Sequence, residues 1–529
     1  MKNIAFFCSL VATTFYTFQV TGQRPVNKFD EVYQYVTRFY VDEVNNQELL
    51  DAAVVAMLEK LDPHSTYISK EDVDDANQAI VGSFVGIGVR FQVFKDTFTV
   101  IQTIPGGPAE KVGLQAGDKL TKVDGVNIAG VGLKNSQIRE KLLGELNTKV
   151  KVEVVRSGEK EPINFVITRD KIPVHSVDAA YMIDKTIGYI KLNSFSRTTT
   201  EEMESSIKKL KEQGMKDLIL DLQSNGGGLL SAAHELADQF LSANKMVVYS
   251  EGRAQPRQEF KTAKKDAFEK GRLIILTNEN SASASEIVAG AIQDWDRGLI
   301  VGRRTFGKGL VQRPINLSDG SQIRLTIARY FTPTGRFIQK PYEGKEDYKK
   351  DLLNRFEHGE YYHKDSIKLN DSLVYETLIT KRKVYGGGGI MPDVFVPYDT
   401  TEITPYFTSI IRKGLLSSYI AQKVNANRTS LKELYPTFDK FKKEFRIDDD
   451  FMNEFLEHIQ KDGGIEKNEE QYKTSENLLK LQMKAVIAQN LFDIPQFYEI
   501  INDTNEVLQK AIEILKTDEY KNAGLEKSK

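Results

Sequence analysis

Three serines stand close together in the run Ser281-Ala-Ser-Ala-Ser-Glu286, where the pattern changes from strand to helix. The apolar stretch at 272–277 is typical of a buried strand, and a helical pattern continues to Asp294. Hydroxyl side chains at a helix start serve as helix caps or, when a base activates them, as nucleophiles. On this segment alone, capping is the simpler interpretation.

A second segment, Arg304-Thr-Phe-Gly-Lys-Gly-Leu-Val-Gln312, supplies a candidate base. Lys308 lies between two glycines and close to Phe306 and Leu310, and apolar surroundings favour the neutral amine over the ammonium ion. A neutral lysine can take the proton of a serine hydroxyl, as general-base activation requires. If the segment is a strand, Lys308, Leu310 and Gln312 face the same way, and Gln312 could hold the amine in position.

A glycine run follows another short buried strand, in Asp221-Leu-Gln-Ser-Asn-Gly-Gly-Gly-Leu229. Such a turn before a helix exposes backbone N–H groups that can hold an oxyanion or a phosphate. The run lacks the Lys-Ser/Thr pair of a phosphate-binding loop, which argues against nucleotide binding. A purely structural tight turn is the alternative.

Other catalytic chemistries have less support in the sequence. The six histidines form no His-Glu-x-x-His motif, and no Gly-x-Ser-x-Gly elbow is present. His64 is interpreted as structural, although a distant Ser–His pair stays open. Cys8 is the single cysteine, so loss of the N-terminal segment would exclude a cysteine nucleophile, a disulfide framework and a Cys-ligated metal site. We predict no metal and no cofactor.

Composition and pattern place these motifs in a multidomain α/β protein. The 529 residues are enough for about three or four domains. Short strands and turns form one region, and strands then alternate with helices in a region that carries a polar insertion near 340–383. The predicted divisions are a signal peptide at 1–22, an N-terminal helical segment at 23–80, a mainly β domain at 81–170, an α/β core at 171–400 and a C-terminal helical domain at 401–529.

The N-terminus has the pattern of a secretion signal. A short basic start is followed by a mostly apolar stretch from Ile4 to Val20 and by small residues that suit cleavage after Gly22. We therefore predict a protein secreted across the inner membrane, in the periplasm or cell envelope. The formal net charge of -2 lacks the basic excess of a nucleic-acid-binding protein, so no nucleic-acid partner is expected.

Together the motifs resemble those of the carboxyl-terminal processing proteases, also called tail-specific proteases, which carry a PDZ domain and a Ser–Lys dyad. The resemblance covers roughly Leu61 to Pro397. It rests on the three segments above and on Leu61-Asp-Pro-His-Ser-Thr-Tyr67, Gly86-Ile-Gly-Val89 and Gly113-Leu-Gln-Ala-Gly-Asp118. No single motif decides the family, but all of them in this order are highly specific.

The resemblance implies a role for each candidate residue. Ser283, the middle serine, would be the nucleophile, Lys308 the general base and Gln312 the support of that base. The backbone N–H groups of Ala284 and of a glycine in the 226–228 run would form the oxyanion hole, with Gly227 favoured and a shift of one residue left open. The implied architecture is an α/β protease core with an inserted PDZ domain, an N-terminal helical segment and a C-terminal helical domain.

The resemblance also implies a peptide-binding loop and contains one departure. Gly86, Ile87, Gly88 and Val89 would bind a terminal carboxylate through backbone N–H groups while the peptide adds a strand to the sheet edge. A rigid spacer or gate is the alternative role of this domain. Gln223 stands where the family usually has Arg, so a salt bridge is expected to be missing there.

The implied function is that of a serine endopeptidase that cleaves C-terminal regions of envelope or unfolded proteins through an acyl-enzyme. Its partners would be protein or peptide substrates with free C-termini. The C-terminal helical domain would suit a homo-oligomer or a regulatory partner. The alternative is a PDZ-based peptide-binding scaffold with an inactive protease-like domain, which the departure at Gln223 and the large helical tail motivate.

Overall fold

The computed structural model describes residues 26–94, 96–104, 106–156, 158–263, 267–342, 345–368 and 370–525. The predicted signal peptide at 1–22 lies outside these residues. The chain divides into two compact units, Met1–Leu61 and Asp62–Lys529. The first unit contains helices α1 (Val26–Phe39) and α2 (Asn46–Glu59). Asn45 begins α2 as its cap, because its side chain accepts a hydrogen bond from the N–H of Glu48.

The second unit begins with a strand, a helix and a β-rich region that has its own apolar core. These elements are β1 (Thr66–Ile68), α3 (Val73–Val81), β2 (Ser83–Gly86), β3 (Val89–Phe94), β4 (Thr97–Thr103), α4 (Pro108–Lys111), β5 (Lys119–Val123), β6 (Val126–Asn127), α5 (Asn135–Leu142), β7 (Lys149–Val155), β8 (Ile163–Thr168) and β9 (Asp170–Pro173). One sheet has the order β3-β4-β5-β7-β8, with β6 paired to β5, so β3 lies at an edge. Alternating side chains of β7, such as Val150, Val152 and Val154, fill the core.

The α/β core follows, and two sheets contribute to it. Its elements are β10 (Val177–Met182), β11 (Ile187–Leu192), α6 (Thr199–Glu212), β12 (Asp217–Asp221), α7 (Leu230–Asp238), β13 (Met246–Gly252), β14 (Gln255–Lys261), β15 (Leu273–Thr277), α8 (Ala284–Asp294), β16 (Leu299–Gly302), β17 (Leu310–Asn316), β18 (Gln322–Phe331), α9 (Lys345–Glu357), β19 (Val374–Glu376), β20 (Lys383–Tyr385) and β21 (Val394–Phe395). The central sheet, β10-β11-β12-β15-β16-β21, is parallel except at β10.

This topology brings the glycine run and the serine run together. β12 and β15 are parallel neighbours in the central sheet, and both runs follow the carboxyl ends of these strands. In open α/β sheets, functional loops gather at this edge of the strands. The second sheet, β1-β18-β13-β14 with β17 paired to β18, carries the segment that follows Lys308.

The helical tail has two parts. Its helices are α10 (Pro405–Arg412), α11 (Leu415–Ala426), α12 (Arg428–Leu434), α13 (Phe438–Glu444), α14 (Asp449–Gly463), α15 (Glu469–Leu491), α16 (Ile494–Ile501), α17 (Glu506–Lys516) and α18 (Glu519–Asn522). The helices up to α16 share an apolar core of their own. Leu508 and Ile514 of α17 instead pack with Ile219 and Ile274 of the central sheet.

The packing of α17 and α18 differs from the predicted picture of one separate helical domain after 401. A parallel sheet has apolar side chains on both faces, and both faces must be covered. The last two helices, α17 and α18, cover one face of the central sheet. Among the described residues, no helix combines the length and the apolar character that crossing a membrane requires.

Candidate active site

The serine run forms the turn between β15 and α8. Ser283 has φ 55° and ψ -111°, a strained conformation for a residue with a side chain, and it is partly exposed. The other two serines are buried. Ser281 Oγ donates to the carbonyl oxygen of Leu222 at 2.8 Å, and Ser285 Oγ donates to that of Asn225 at 2.9 Å. The two flanking hydroxyls are therefore used in structural hydrogen bonds.

Glu286 joins the serine run to the lysine segment. Its fully buried carboxylate accepts hydrogen bonds from the backbone N–H of Ser283 at 2.8 Å, of Gly307 at 2.7 Å and of Lys308 at 2.9 Å. It also accepts one from Thr305 Oγ1 at 2.5 Å. Burial raises the pKa of Glu286, and these hydrogen bonds oppose that rise. One side chain thus fixes the backbones of both candidate catalytic residues, a role that sequence reasoning missed.

Lys308 is largely buried, and Gln312 holds its amine. Lys308 Nζ donates to Gln312 Oε1 at 2.8 Å. Lys308 precedes β17, whereas the sequence pattern predicts that both residues lie on one strand; a β-bulge between Val311 and Gln312 changes the local register. Burial lowers the pKa of Lys308, while the charge of Glu286 acts in the opposite direction. Within the described residues, no hydrogen bond joins Ser283 to Lys308 in this conformation.

The turn around His64 supports Gln312 from the other side. Gln312 Nε2 donates to the carbonyl oxygen of His64. Asp62 fixes this turn, because its Oδ1 accepts from the N–H groups of His64 and Ser65, each at 2.8 Å. Burial, followed by the charge of Lys308, lowers the pKa of His64 to about 4, so its imidazole is neutral near pH 7. These contacts agree with a structural role for His64.

The polar insertion supports the backbone before Lys308. Arg355, on α9, is buried and donates to the carbonyl oxygens of Thr305 at 2.9 Å and Phe306 at 3.2 Å. Arg304 pairs with Glu360 at 2.6 Å in the same region. Some charged residues of the predicted polar insertion are therefore used in buried contacts. Sequence reasoning missed Arg355, since nothing in the local pattern distinguishes it from a solvent-exposed arginine.

The glycine run lies directly against the serine turn. A Cβ added to Gly227, where φ is 98°, would lie 2.8 Å from Ser283 Cβ and 2.9 Å from Ala284 N. The Gly227 N–H donates to Asn225 Oδ1 at 2.9 Å, so it is not free for an oxyanion in this conformation. The Ala284 N–H has no acceptor in the described part of the chain. Gly228 lies next to Phe195, whose N–H donates to Gly227 O at 3.0 Å.

Gln223 takes part in a buried polar cluster. Its side chain lies 3.4 Å from Asp221 Oδ2 and 3.5 Å from Asn505 Oδ1 on the helical tail. Lys191 Nζ donates to Asp221 Oδ1 at 3.1 Å and to the carbonyl oxygen of Gln223. The ammonium group of Lys191 therefore pairs with Asp221, although Gln223 carries no charge.

The predicted peptide-binding loop lies in a different place, at a cavity of about 940 Å³. Gly86 ends β2, and Val89 begins β3. The carbonyl oxygens of Ile87 and Gly88 accept hydrogen bonds from the N–H groups of Ala109 and Ile104, but the N–H groups of these two residues have no acceptor among the described residues. Gly88 has φ 75°, which glycine adopts without strain. Ile87 and Gly88 thus line this cavity, and Ser283 does not.

Comparison with protein families gives four matches along the chain. Peptidase family S41 matches residues 186–349, and the PDZ domain family matches 99–156. The family described as the activating protease CtpB N-terminal domain matches 14–72. A family of unknown function matches 406–493. The S41 match contains the serine run, the lysine segment and the glycine run.

Individual proteins also show similarity to this chain. A "Probable CtpA-like serine protease" of Staphylococcus aureus (strain MRSA252) is 35% identical over 322 residues, which cover 60% of this chain and 63% of the relative. The chain thus spans less than two thirds of that relative. A "Carboxy-terminal-processing protease" of Bartonella bacilliformis is 36% identical over 317 residues, covering 59% and 72%. The solved photosystem II D1 C-terminal processing protease is 27% identical, covers 70% and 93%, and has a TM-score of 0.36.

Proposed function

The chain belongs to the carboxy-terminal-processing proteases of peptidase family S41, and on this premise we propose that it is a serine endopeptidase with a Ser283–Lys308 dyad. The observation that carries the proposal is the position of Glu286. Its carboxylate binds the backbone N–H groups of Ser283 and Lys308 together, next to a lysine amine that burial favours in the neutral form.

In the proposed reaction, Ser283 Oγ attacks the carbonyl carbon of the scissile peptide bond while its proton passes to neutral Lys308 Nζ. The resulting oxyanion accepts hydrogen bonds from the Ala284 N–H and from an amide of the glycine run. Lys308 then gives the proton to the leaving amine, which leaves an acyl-enzyme. Lys308 next takes a proton from water, whose oxygen attacks the ester, and the proton returns to Ser283 as the new C-terminus departs.

Two local rearrangements precede this chemistry. Ser283 Oγ must form a hydrogen bond with Lys308 Nζ. Gly227 must exchange its contact with Asn225 Oδ1 for the oxyanion unless another amide of the run serves. Gln312 donates from its amide nitrogen to His64 O, which directs its amide oxygen toward the amine. This arrangement orients Lys308 without adding a negative charge that would favour the ammonium ion.

The proposed substrates are proteins or peptides with free C-termini, in unfolded or envelope proteins. The N–H groups of Ile87 and Gly88, which have no acceptor among the described residues, suit a terminal carboxylate. In the described sheet β3 is an edge strand, which suits an added peptide strand. The secretion pattern of residues 1–22 supports a location in the periplasm or cell envelope. The helical tail remains a candidate surface for a homo-oligomer or a regulatory partner.

The test is cleavage of an unfolded protein such as casein by the purified chain. We expect turnover with the native chain and a complete loss with Ser283→Ala. Ser409→Ala changes an exposed helical serine and should leave the rate unchanged. Normal activity of Ser283→Ala would disprove the assignment and move the test to Ser281 and Ser285. Peptide binding without any turnover by the native chain would favour the scaffold alternative.

A further inference from the structure

The cavity at the PDZ loop has a wall that belongs neither to the PDZ domain nor to the protease core. This wall is the corner between α15 and α16, formed by Asp493, Ile494 and Pro495. The PDZ domain supplies the opposite side through Ile87 and Leu142. A groove between a sheet edge and a helix thus becomes a three-sided cavity. Its volume is near the upper end of the roughly 300–1,000 Å³ typical of ligand sites.

The corner presents apolar surface to this cavity. Ile494 is partly exposed, and among the described residues it belongs to none of the packed apolar clusters, whereas Phe492 and Phe497 on either side pack into the helical core. Asp493 Oδ1 accepts a hydrogen bond from the Ile494 N–H at 2.8 Å, and Pro495 lies in the first turn of α16. Both features fix the backbone, so Ile494 is held at the cavity rather than in a core.

Contacts on both sides hold the corner in place. Tyr498 OH, one turn further along α16, donates to Asp178 Oδ2 of the protease core at 3.1 Å. Asn502 Nδ2 donates to the hydroxyl of Tyr181 at 2.9 Å. On the PDZ side, a Cβ added to Gly414 would lie 2.1 Å from Gln92 Nε2 on β3. The helical region therefore docks against the strand that forms the edge of the peptide groove.

We propose that the helical region α10–α16 is a substrate-recognition wall, in which Ile494 contacts the last side chains of a bound polypeptide and selects large apolar ones. The proposal rests on the proposed function, because it takes a free C-terminus at the PDZ loop as the occupant. The chemistry follows from the lining: Phe84, Ile87, Leu142, Ile172, Ile494 and Pro495 offer apolar surface from three sides. The corner lies at the end of residues 406–493, which match a family of unknown function.

The experiment measures binding to the full chain carrying Ser283→Ala, so that the probe is not cleaved. Fluorescein-labelled short peptides of one sequence end in Phe, in Ala, or in Phe amide, and fluorescence anisotropy gives each Kd. We expect the Phe-ended peptide to bind tightest and the amide to bind weakly. Ile494→Ala should raise the Kd of the Phe-ended peptide about three- to tenfold and leave the Ala-ended peptide nearly unchanged.

Ile411→Ala is the matched control, because Ile411 is an exposed isoleucine on α10 of the same helical region. It should change neither Kd. If the ratio of the Phe-ended to the Ala-ended Kd is unchanged in Ile494→Ala, the recognition role of Ile494 is wrong. The proposed protease function does not depend on that result. Failure of the chain to bind any free C-terminus, together with failure to cleave casein, overturns both.

A second variant guards against loss of folding in Ile494→Ala. Ile494→Trp fills the cavity instead of emptying it. It should therefore weaken the binding of the Phe-ended peptide and shift the binding preference toward the Ala-ended peptide. A preserved preference for Phe in a folded Ile494→Trp chain, with an unchanged thermal transition, contradicts the proposal.

Discussion

The surroundings of Lys308 and those of Lys340 differ in the partner that each amine binds. Both lysines are largely buried, and burial lowers the pKa of each. Lys308 Nζ donates to the neutral amide of Gln312 at 2.8 Å, whereas Lys340 Nζ pairs with the carboxylate of Asp351 at the same distance. Lys340 also lies 3.8 Å from the ring centre of Phe306.

The comparison shows that burial alone does not make a lysine a base. A carboxylate and an aromatic face both stabilise the ammonium ion, so Lys340 is equipped to stay charged and to hold the backbone near the site. An amide oxygen accepts a hydrogen bond without adding a full negative charge. Of the two lysines, Lys308 therefore fits the proposed role of general base.

The largest expected effect is on catalysis in Lys308→Met compared with Lys340→Met. Loss of a general base typically lowers kcat by about 10²–10⁴-fold, so Lys308→Met should be nearly inactive with an unchanged thermal transition. Lys340→Met should keep a measurable rate with the native pH profile but unfold at a lower temperature, because it breaks a buried ion pair. Casein cleavage and thermal unfolding measure both. Equal losses of kcat would contradict the distinction between the two lysines.

Local sequence patterns predicted only one side of this comparison. The segment around Lys308 is short, and Gln312 follows four residues later, so type and spacing indicate their pairing. The partner of Gln312 on the other side is His64 O, which is 248 residues away. Lys340 and Arg355 belong to a segment that its polar, charged composition predicted only to be an insertion. Their burial depends on tertiary contacts that no local pattern records.

The fold was predictable to a similar extent. The alternation of strands and helices indicated the α/β core, and the serine and glycine runs were correctly placed after β15 and β12. The packing of α17 on the central sheet was not predicted, since its apolar face fits a helical bundle equally well. The sequence also could not predict the hydrogen-bond partner of the Gly227 N–H, because the direction of this N–H depends on Asn225.

The second effect concerns stability in Asp351→Asn. Asp351 pairs with Lys340 at 2.8 Å and with Arg355 at 3.0 Å, so its neutralisation removes a carboxylate that two buried cations share. The Asp351 side chain is 26% exposed, so breaking these pairs costs less than for fully buried ones, on the order of 2 kcal/mol. We expect chemical denaturation to show a loss of this size. Asp371→Asn, in a short helical turn, is the control and should change the free energy of unfolding little.

The smallest effect sharpens the comparison most directly, because Gln312→Glu gives Lys308 the type of partner that Lys340 has. A carboxylate beside the amine favours the ammonium ion and raises the pKa of Lys308. Since the base acts only when deprotonated, activity rises with pH through this pKa, and the rising limb must move to higher pH. At a pH below the limb, the variant should therefore cleave more slowly than the native chain, by about tenfold if the limb moves by about one pH unit.

A pH–rate profile of kcat/KM locates the limb in both chains, and Gln460→Glu on α14 is a control for the added charge. An unmoved limb would show that Lys308 is not the titrating base, and a limb near pH 6.5 that vanishes on replacement of one histidine would assign the proton to that histidine instead.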